Sequence, residues 1–149
     1  GGRFATPEAL AAAAAALWPG GGTPYVVCTG GEPLLQLDEA LVRALKAAGF
    51  EVGVETNGTL PAPRGLDWIC VSPKGQAPLA LISGDELKLV HPQQGIDPAR
   101  FETLAFRHFL LQPMDGPDRE AATRAALDYC RAHPRWRLSL QTHKILRIP

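Results

Sequence analysis

The stretch Tyr-Val-Val-Cys-Thr-Gly-Gly-Glu-Pro, residues 25–33, decides the fold. Apolar and β-branched side chains predict a short strand over Tyr25–Thr29, and the glycine pair that follows predicts a turn. A helix is predicted next, over Asp38–Ala48, because apolar residues recur at helical spacing and Gly49 ends the run. This order of strand, turn and helix is the repeating unit of a parallel α/β sheet.

The same alternation continues along the chain. A helix is predicted over Ala9–Trp18, with Thr6 as its cap and Pro7 in its first turn. Further strands are predicted at Phe50–Thr56, Trp68–Val71, Glu86–Val90, Phe106–Leu111 and Trp136–Leu140, and further helices at Pro98–Leu104 and Asp118–His133. No linker separates these elements, so the sequence predicts one α/β domain over residues 1–149 with a mainly parallel sheet.

Composition narrows the function classes. The 149 residues are 46% hydrophobic with a formal net charge of zero, which argues against a protein that binds nucleic acid or a membrane surface through bulk charge. No apolar run approaches the ~20 residues of a membrane span. Cys28, Cys70 and Cys130 are far apart and form no metal or disulfide pattern, which suits buried, reduced thiols in the cytoplasm.

Polar residues lie at or after the carboxyl ends of the predicted strands, except for Glu86–Lys88, which lies within its strand. Parallel strands of an α/β sheet or barrel present their carboxyl ends to one ligand-binding edge, so these groups are expected to converge. The segments concerned are Thr29–Pro33, Glu55–Gly58, Ser72–Lys74, Glu86–Lys88, Gln112–Asp115 and Gln141–Lys144.

The residue types in these segments suit a small ligand. Gly30 and Gly31 allow backbone to approach a ligand closely, and Glu32 offers an acceptor for a cationic amine. Lys74 is either a partner for a ligand carboxylate or a solvated loop residue, and His143 is either a donor or acid–base group or a structural histidine. Taken alone, residues 30–33 also fit a plain tight turn.

Several motifs resemble one family. Gly30-Gly31-Glu32-Pro33 resembles the GGEP motif of the radical S-adenosylmethionine (SAM) superfamily, which binds the methionyl amine of the cofactor. The remaining motifs are similar, in order and across essentially the whole chain, to those of 7-carboxy-7-deazaguanine synthases. They are Glu55–Thr59, Asp67–Lys74, Glu86–Lys88, Gln112–Gly116 and Gln141–Lys144. The resemblance implies an incomplete (β/α) barrel.

The resemblance also implies a chemistry. Enzymes of this family are lyases that contract the ring of 6-carboxy-5,6,7,8-tetrahydropterin to 7-carboxy-7-deazaguanine with loss of ammonia, on the route to queuosine and other deazapurines. They use SAM, a [4Fe–4S] cluster, Mg²⁺ and an external electron donor, and they work as homodimers.

Residue roles follow from the same resemblance. It assigns SAM binding to Gly31, Ser72, Pro73, Lys74, Gln112, Pro113, Met114 and Asp115. It assigns substrate binding to Thr29 and to the carboxylate of Pro149. Weaker candidates for the same site are Glu32, Glu55, Asn57 and His143, and no residue is assigned a catalytic role.

The sequence departs from the family at the metal centre. The three-cysteine cluster motif does not occur in residues 1–149, and the three cysteines present are too dispersed to replace it. We therefore expect the first strand, the cluster loop and the Mg²⁺ ligand to be missing from this chain, no metal ligand to lie within it, and the chain alone to be inert. The alternatives are another radical SAM enzyme of the activase type, or an α/β binding module without a cluster.

Overall fold

The computed structural model describes residues 2–148. Four α-helices are described in this range: α1 (Pro7–Ala16), α2 (Glu39–Ala47), α3 (Arg119–Ala132) and α4 (Thr142–Leu146). The strands are β1 (Tyr25–Cys28), β2 (Glu51–Thr56), β3 (Trp68–Val71), β4 (Ser83–His91), β5 (Ala105–Pro113) and β6 (Trp136–Leu138). Single 3-10 turns lie at Pro33–Leu35 and Pro98–Phe101.

The six strands form one parallel sheet in the order of the chain, β1-β2-β3-β4-β5-β6. Neither edge strand pairs with the other, so the sheet is open, in agreement with the incomplete barrel that the family resemblance implied. Because every strand runs the same way, all the carboxyl ends lie along one edge of the sheet. Side chains in register form rows across the strands, and one such row joins Glu55, Cys70, Glu86 and His108.

The apolar core lies between the helices and one face of the sheet. Val71, Leu87, Leu89 and Leu111 are 0% exposed and pack with Trp136 in the larger cluster. Smaller clusters lie under α1 and α2, where Val42, Leu45, Phe50, Val52 and Val54 are buried. Residues that alternate with these on each strand face the opposite side of the sheet, which we call the open face.

Local signals explain where the first two helices begin. The Thr6 hydroxyl accepts a hydrogen bond from Ala9 N at 3.2 Å, and the Asp38 carboxylate accepts one from Leu41 N at 2.8 Å. Pro7 follows Thr6 at the first helical position, where its missing N–H leaves no hydrogen bond unmade. The Thr6 cap was predicted from the sequence, whereas Asp38 was predicted as the first residue of its helix and is its cap.

Four details differ from the prediction, and the first is that the helix predicted at Pro98–Leu104 is a single 3-10 turn over Pro98–Phe101. The last strand ends at Leu138 rather than Leu140, and residues 142–146 form the short helix α4, which was not predicted. The helical spacing predicts that Leu41, Leu45 and Ala48 share the inward face, but helix α2 buries Val42 and Leu45, whereas Leu41 is half-buried and Ala48 is exposed. Ala48 lies at the helix end, beyond the packed turn, so its position on the helical period did not decide its burial. No helix among the described residues is long and apolar enough to cross a membrane.

Candidate cofactor and substrate site

A cavity of about 480 Å³ lies on the open face at the carboxyl ends of the strands. It receives residues from the ends of β1 to β6, so the predicted convergence is confirmed in position. Its lining consists of Thr29, Gly30, Gly31, Glu55, Thr56, Asn57, Ser72, Lys74, Lys88, Val90, Gln112, Ser139, Leu140, Gln141 and His143.

The Glu32 carboxylate holds the loop after β1 against the loop after β2. It accepts hydrogen bonds from Thr56 Oγ1 at 2.6 Å, Asn57 N at 2.8 Å and Leu34 N at 3.0 Å. Burial raises the pKa of Glu32, but these three hydrogen bonds together lower it below its usual value. Glu32 does not line the cavity, and its observed contacts are with the loops that do.

The two glycines of the first loop leave room for a ligand. A Cβ built on Gly30 or Gly31 would meet no heavy atom within 4 Å, although both residues line the cavity. Gly30 also has a φ of +128°, which favours glycine. The space that a side chain would fill therefore belongs to the cavity, and the backbone N–H and C=O groups are open to an occupant.

Ser72 and Lys74 lie on the wall formed after β3. Lys74 Nζ is 3.4 Å from Ser72 Oγ, and the lysine side chain is exposed. Pro73, between them, is buried and does not line the cavity. This wall therefore presents one ammonium group and one hydroxyl, a donor set that suits an amino-acid carboxylate.

Glu55 and Lys88 form an ion pair in the cavity lining. Lys88 Nζ donates to Glu55 Oε1 at 3.0 Å, with side-chain exposures of 18% for the lysine and 44% for the glutamate. Burial lowers the pKa of Lys88, but Cys70, Glu55 and Glu86 nearby together raise it above its usual value. The lysine is therefore charged at neutral pH.

The far side of the cavity comes from β5 and the segment after β6. Gln112 lines it from the end of β5, and Ser139, Leu140, Gln141 and His143 line it from the other segment. Ser139 N still donates to Leu111 O at 2.8 Å, after which the chain leaves the sheet and enters α4. This early departure brings residues 139–143 over the cavity instead of extending the strand.

Met114 and Asp115 lie just beyond Gln112 and Pro113 but do not line this cavity. Asp115 forms an ion pair with Lys144 of α4, and that contact is the main reason its pKa is lowered. Pro113 is buried and borders a smaller neighbouring pocket, whereas Met114 is exposed. The Asp115–Lys144 pair joins the end of β5 to α4.

The predicted site residues therefore fall into two sets. Those that line one cavity are Thr29, Gly31, Glu55, Asn57, Ser72, Lys74, Gln112 and His143. Those that do not line it are Glu32, Pro73, Pro113, Met114 and Asp115. Pro149 lies outside the described residues. Their ligand-binding roles stay predictions.

Sequence reasoning placed Lys88 and Gln141 in segments expected at the ligand-binding edge but gave neither a role, and it did not select Ser139 or Leu140. For Lys88 a signal existed, because in Glu86-Leu87-Lys88-Leu89-Val90 the two leucines alternate with residues of the opposite face. For Ser139 and Leu140 the predicted strand hid the signal, since a strand would have left only its end near the cavity.

The three cysteines do not form a metal centre. Cys28 lies on β1, Cys70 on β3 and Cys130 on α3, and all three are free thiols. Burial is the main cause that raises the pKa of Cys70 to about 12, so this thiol stays protonated and is a poor metal ligand. Within residues 2–148, no group of three His, Cys, Asp or Glu side chains is close enough to hold a metal ion.

Comparison with known proteins agrees with this geometry. Residues 1–133 match the Radical SAM superfamily. A 7-carboxy-7-deazaguanine synthase of Caulobacter vibrioides is 61% identical over 150 aligned residues, which span 100% of this chain and 71% of the relative. The synthase of Bordetella pertussis is 62% identical, again over 100% of this chain and 71% of the relative. The chain belongs to the 7-carboxy-7-deazaguanine synthase family of radical SAM proteins.

A solved structure shows the same fold. The crystal structure of QueE from Escherichia coli superimposes with a TM-score of 0.68 at 28% identity. The match covers 92% of this chain and 64% of the QueE chain. Membership in the superfamily implies SAM and a [4Fe–4S] cluster as cofactors. The donor set around Gly31 and Lys74 fits the first of these, and the cysteines of residues 2–148 do not fit the second.

Proposed function

We propose that the cavity binds SAM and 6-carboxy-5,6,7,8-tetrahydropterin, and that the protein forms 7-carboxy-7-deazaguanine with release of ammonia. The observation that carries the proposal is the convergence of eight predicted site residues on one cavity at the carboxyl edge of the sheet. The 61% and 62% identical relatives, both named 7-carboxy-7-deazaguanine synthase, support the choice of reaction.

The SAM half of the site is proposed to lie between the glycine loop and the wall after β3. There the backbone of Gly31 receives the amino-acid part of the cofactor, and the Lys74 ammonium pairs with its carboxylate. Ser72 and Gln112 add hydrogen-bond donors and acceptors on the same side. When cleaved, SAM supplies a radical that abstracts a hydrogen atom from the substrate.

The pterin half of the site is proposed to lie near Thr29, Glu55, Asn57 and His143. A pterin ring carries N–H donors as well as ring-nitrogen and carbonyl acceptors. These four side chains offer hydrogen-bond acceptors for the first and donors for the second. Asn57 is itself held in place, because its side-chain oxygen accepts from Thr59 N at 2.9 Å and Thr59 Oγ1 at 2.7 Å. These contacts leave the Asn57 amide nitrogen as a donor for the cavity.

The remaining parts of the assignment rest on the family. We propose that the enzyme uses Mg²⁺, takes electrons from an external donor, acts as a homodimer and works in the cytoplasm. Residues 1–149 are proposed to be one radical SAM domain. Within residues 2–148 no group of three candidate ligands could hold the cluster.

Turnover of the pterin tests the proposal. The complete synthase, reconstituted anaerobically with iron, sulfide, SAM and a chemical reductant, is expected to convert carboxytetrahydropterin to 7-carboxy-7-deazaguanine, followed by mass spectrometry. Cleavage of SAM with no deazaguanine product would favour a different radical SAM enzyme. SAM binding with no cleavage would favour a binding module.

A second measurement tests whether residues 1–149 alone can hold the iron–sulfur cluster. Because residues 2–148 present no group of metal ligands, the 149-residue chain expressed alone is expected to give no cluster absorbance after the same reconstitution. Appearance of a [4Fe–4S] absorbance with SAM cleavage from this chain would contradict that expectation.

A further inference from the structure

We infer that Lys88 is the positioning residue that orients the Glu55 carboxylate toward the pterin. The inference rests on the proposed function of the cavity and adds a residue to it. Lys88 acts through Glu55, so the glutamate makes the ligand contact and the lysine fixes its direction.

The first support is where the two residues lie in the sheet. Glu55 is on β2 and Lys88 is on β4, and β3 lies between them in the strand order. Strands two apart are separated by about 9.5 Å. The lysine side chain therefore extends across β3 on the open face to bring Nζ within 3.0 Å of Glu55 Oε1.

The second support is the contrast in exposure between the partners. The Lys88 side chain is 18% exposed, whereas the Glu55 side chain is 44% exposed and lines the cavity. An exposed carboxylate without a partner rotates freely and is poorly prepared to receive a ligand. Lys88 engages Oε1, and among residues 2–148 the structure gives the Glu55 side chain no other hydrogen-bond partner. Its second oxygen is therefore available to a ligand.

The third support is the charge around the lysine. The row beneath the cavity runs from Glu55 through Cys70 to Glu86 and His108, and Lys88 lies one step nearer the carboxyl edge. Glu86 and Glu55 both favour its charged form. Burying an ammonium group to this degree costs free energy that an ion pair seldom returns as stability. A role in the site explains the arrangement better than a role in stabilising the sheet.

The ligand chemistry follows from the geometry. A carboxylate held at one oxygen presents the other to N–H donors, and a pterin ring carries several of these. If Lys88 instead bound a carboxylate of the substrate directly, its remaining N–H donors would make that contact. The two schemes differ in whether the effect of Lys88 depends on Glu55.

A double-mutant cycle separates the schemes. The variants are Lys88→Met, Glu55→Ala and the double variant in the complete synthase. The readouts are the Kd of the fluorescent oxidised analogue 6-carboxypterin, measured without turnover, and the KM and kcat for carboxytetrahydropterin. Lys88→Met is expected to raise both Kd and KM about tenfold, because a misplaced contact group weakens binding by roughly this factor or more.

In the Glu55→Ala background, Lys88→Met is expected to add less than about twofold, since the group it positions is gone. A full tenfold effect in that background would overturn the inference and make Lys88 a direct ligand contact. An unchanged Kd and KM for Lys88→Met in the wild-type background would also overturn it. Lys88→Arg, which keeps the charge, is expected to recover a large part of the affinity.

Lys46→Met is the matched control. Lys46 pairs with Asp67 on the helix-covered side of the sheet and lines none of the cavity. It is expected to leave Kd and KM unchanged. If the wild-type enzyme makes no 7-carboxy-7-deazaguanine, the proposed reaction fails, whereas a normal wild-type turnover with a silent Lys88→Met variant contradicts only the role of Lys88.

Discussion

The two faces of strand β4 carry different tasks within a few consecutive residues. Leu87 and Leu89 are 0% exposed and belong to the main core cluster, whereas Lys88 and Val90 line the cavity on the opposite face. The alternation of side chains along a strand separates the residues that stabilise the fold from those that meet a ligand. Substitutions on the two faces should therefore change different measured quantities.

The largest expected effect is a loss of stability from a substitution on the face of the sheet that the helices cover. Leu89→Ala removes a fully buried side chain and leaves a cavity, so the free energy of unfolding is expected to fall by about 2–5 kcal/mol. Its neighbour Val90→Ala, on the half-buried cavity side, is expected to cost less than about 1 kcal/mol. Chemical denaturation of both variants checks this. Equal losses would show that the open face also holds the fold together.

The next effect belongs to the open face. Lys74→Ala in the complete enzyme is expected to weaken SAM binding by about 1.5–3 kcal/mol, because a charge-assisted contact to the cofactor carboxylate is lost. The unfolding free energy should change little, since Lys74 is exposed. Calorimetric titration with SAM measures the dissociation constant. An unchanged value would place Lys74 in solvent.

Substitution of alanine for each of two glycines, Gly58 and Gly31, tests the same separation between fold stability and ligand binding. Gly58 is buried with a φ of +80°, and a Cβ there would lie 2.5 Å from Val71 Cγ1, so Gly58→Ala is expected to cost about 1–2 kcal/mol or more of stability. A Cβ on Gly31 would meet no protein atom, so Gly31→Ala should preserve the melting temperature and weaken SAM binding. A Gly31→Ala protein that melts early would contradict the separation of the two faces.

The smallest effect concerns Glu32, which joins the two loops behind the cavity. The pKa of Glu32 is lowered in the folded protein, so its ionised form stabilises the fold. This contribution is fully present above the unfolded-state pKa of about 4.3. It is lost as the pH falls through the folded-state pKa. Glu32→Gln is expected to lower the unfolding free energy by about 1 kcal/mol at pH 7. The difference from wild type should shrink below about pH 4. A difference independent of pH would show that the charge does not matter.

Much of the fold was readable from local patterns. Caps at Thr6 and Asp38 mark real helix starts, and apolar runs bounded by glycine and proline mark all six strands. The position of the cavity followed from one rule, that parallel strands share a carboxyl edge. The prediction of an open parallel sheet is confirmed.

What the sequence left undetermined depends on contacts between distant residues. The pairing of Lys88 with Glu55 spans 33 residues and crosses a strand, so neither residue alone predicts it. The same holds for Glu32, whose carboxylate accepts a hydrogen bond from the hydroxyl of Thr56. These two residues are 24 positions apart in the sequence. Helix α4 is five residues long, and helices this short have little propensity signal to detect.

The chain-ordered sheet has a consequence for folding. Each strand pairs only with the strands next to it in sequence, so the sheet can grow by short steps from any interior pair. The cavity, however, takes Thr29 from one edge of the sheet and His143 from beyond the other. The binding pocket is therefore complete only when the whole sheet has formed. A ligand that contacts both sides of the pocket would stabilise both edge strands together, so that local unfolding of one edge strand would depend on the other.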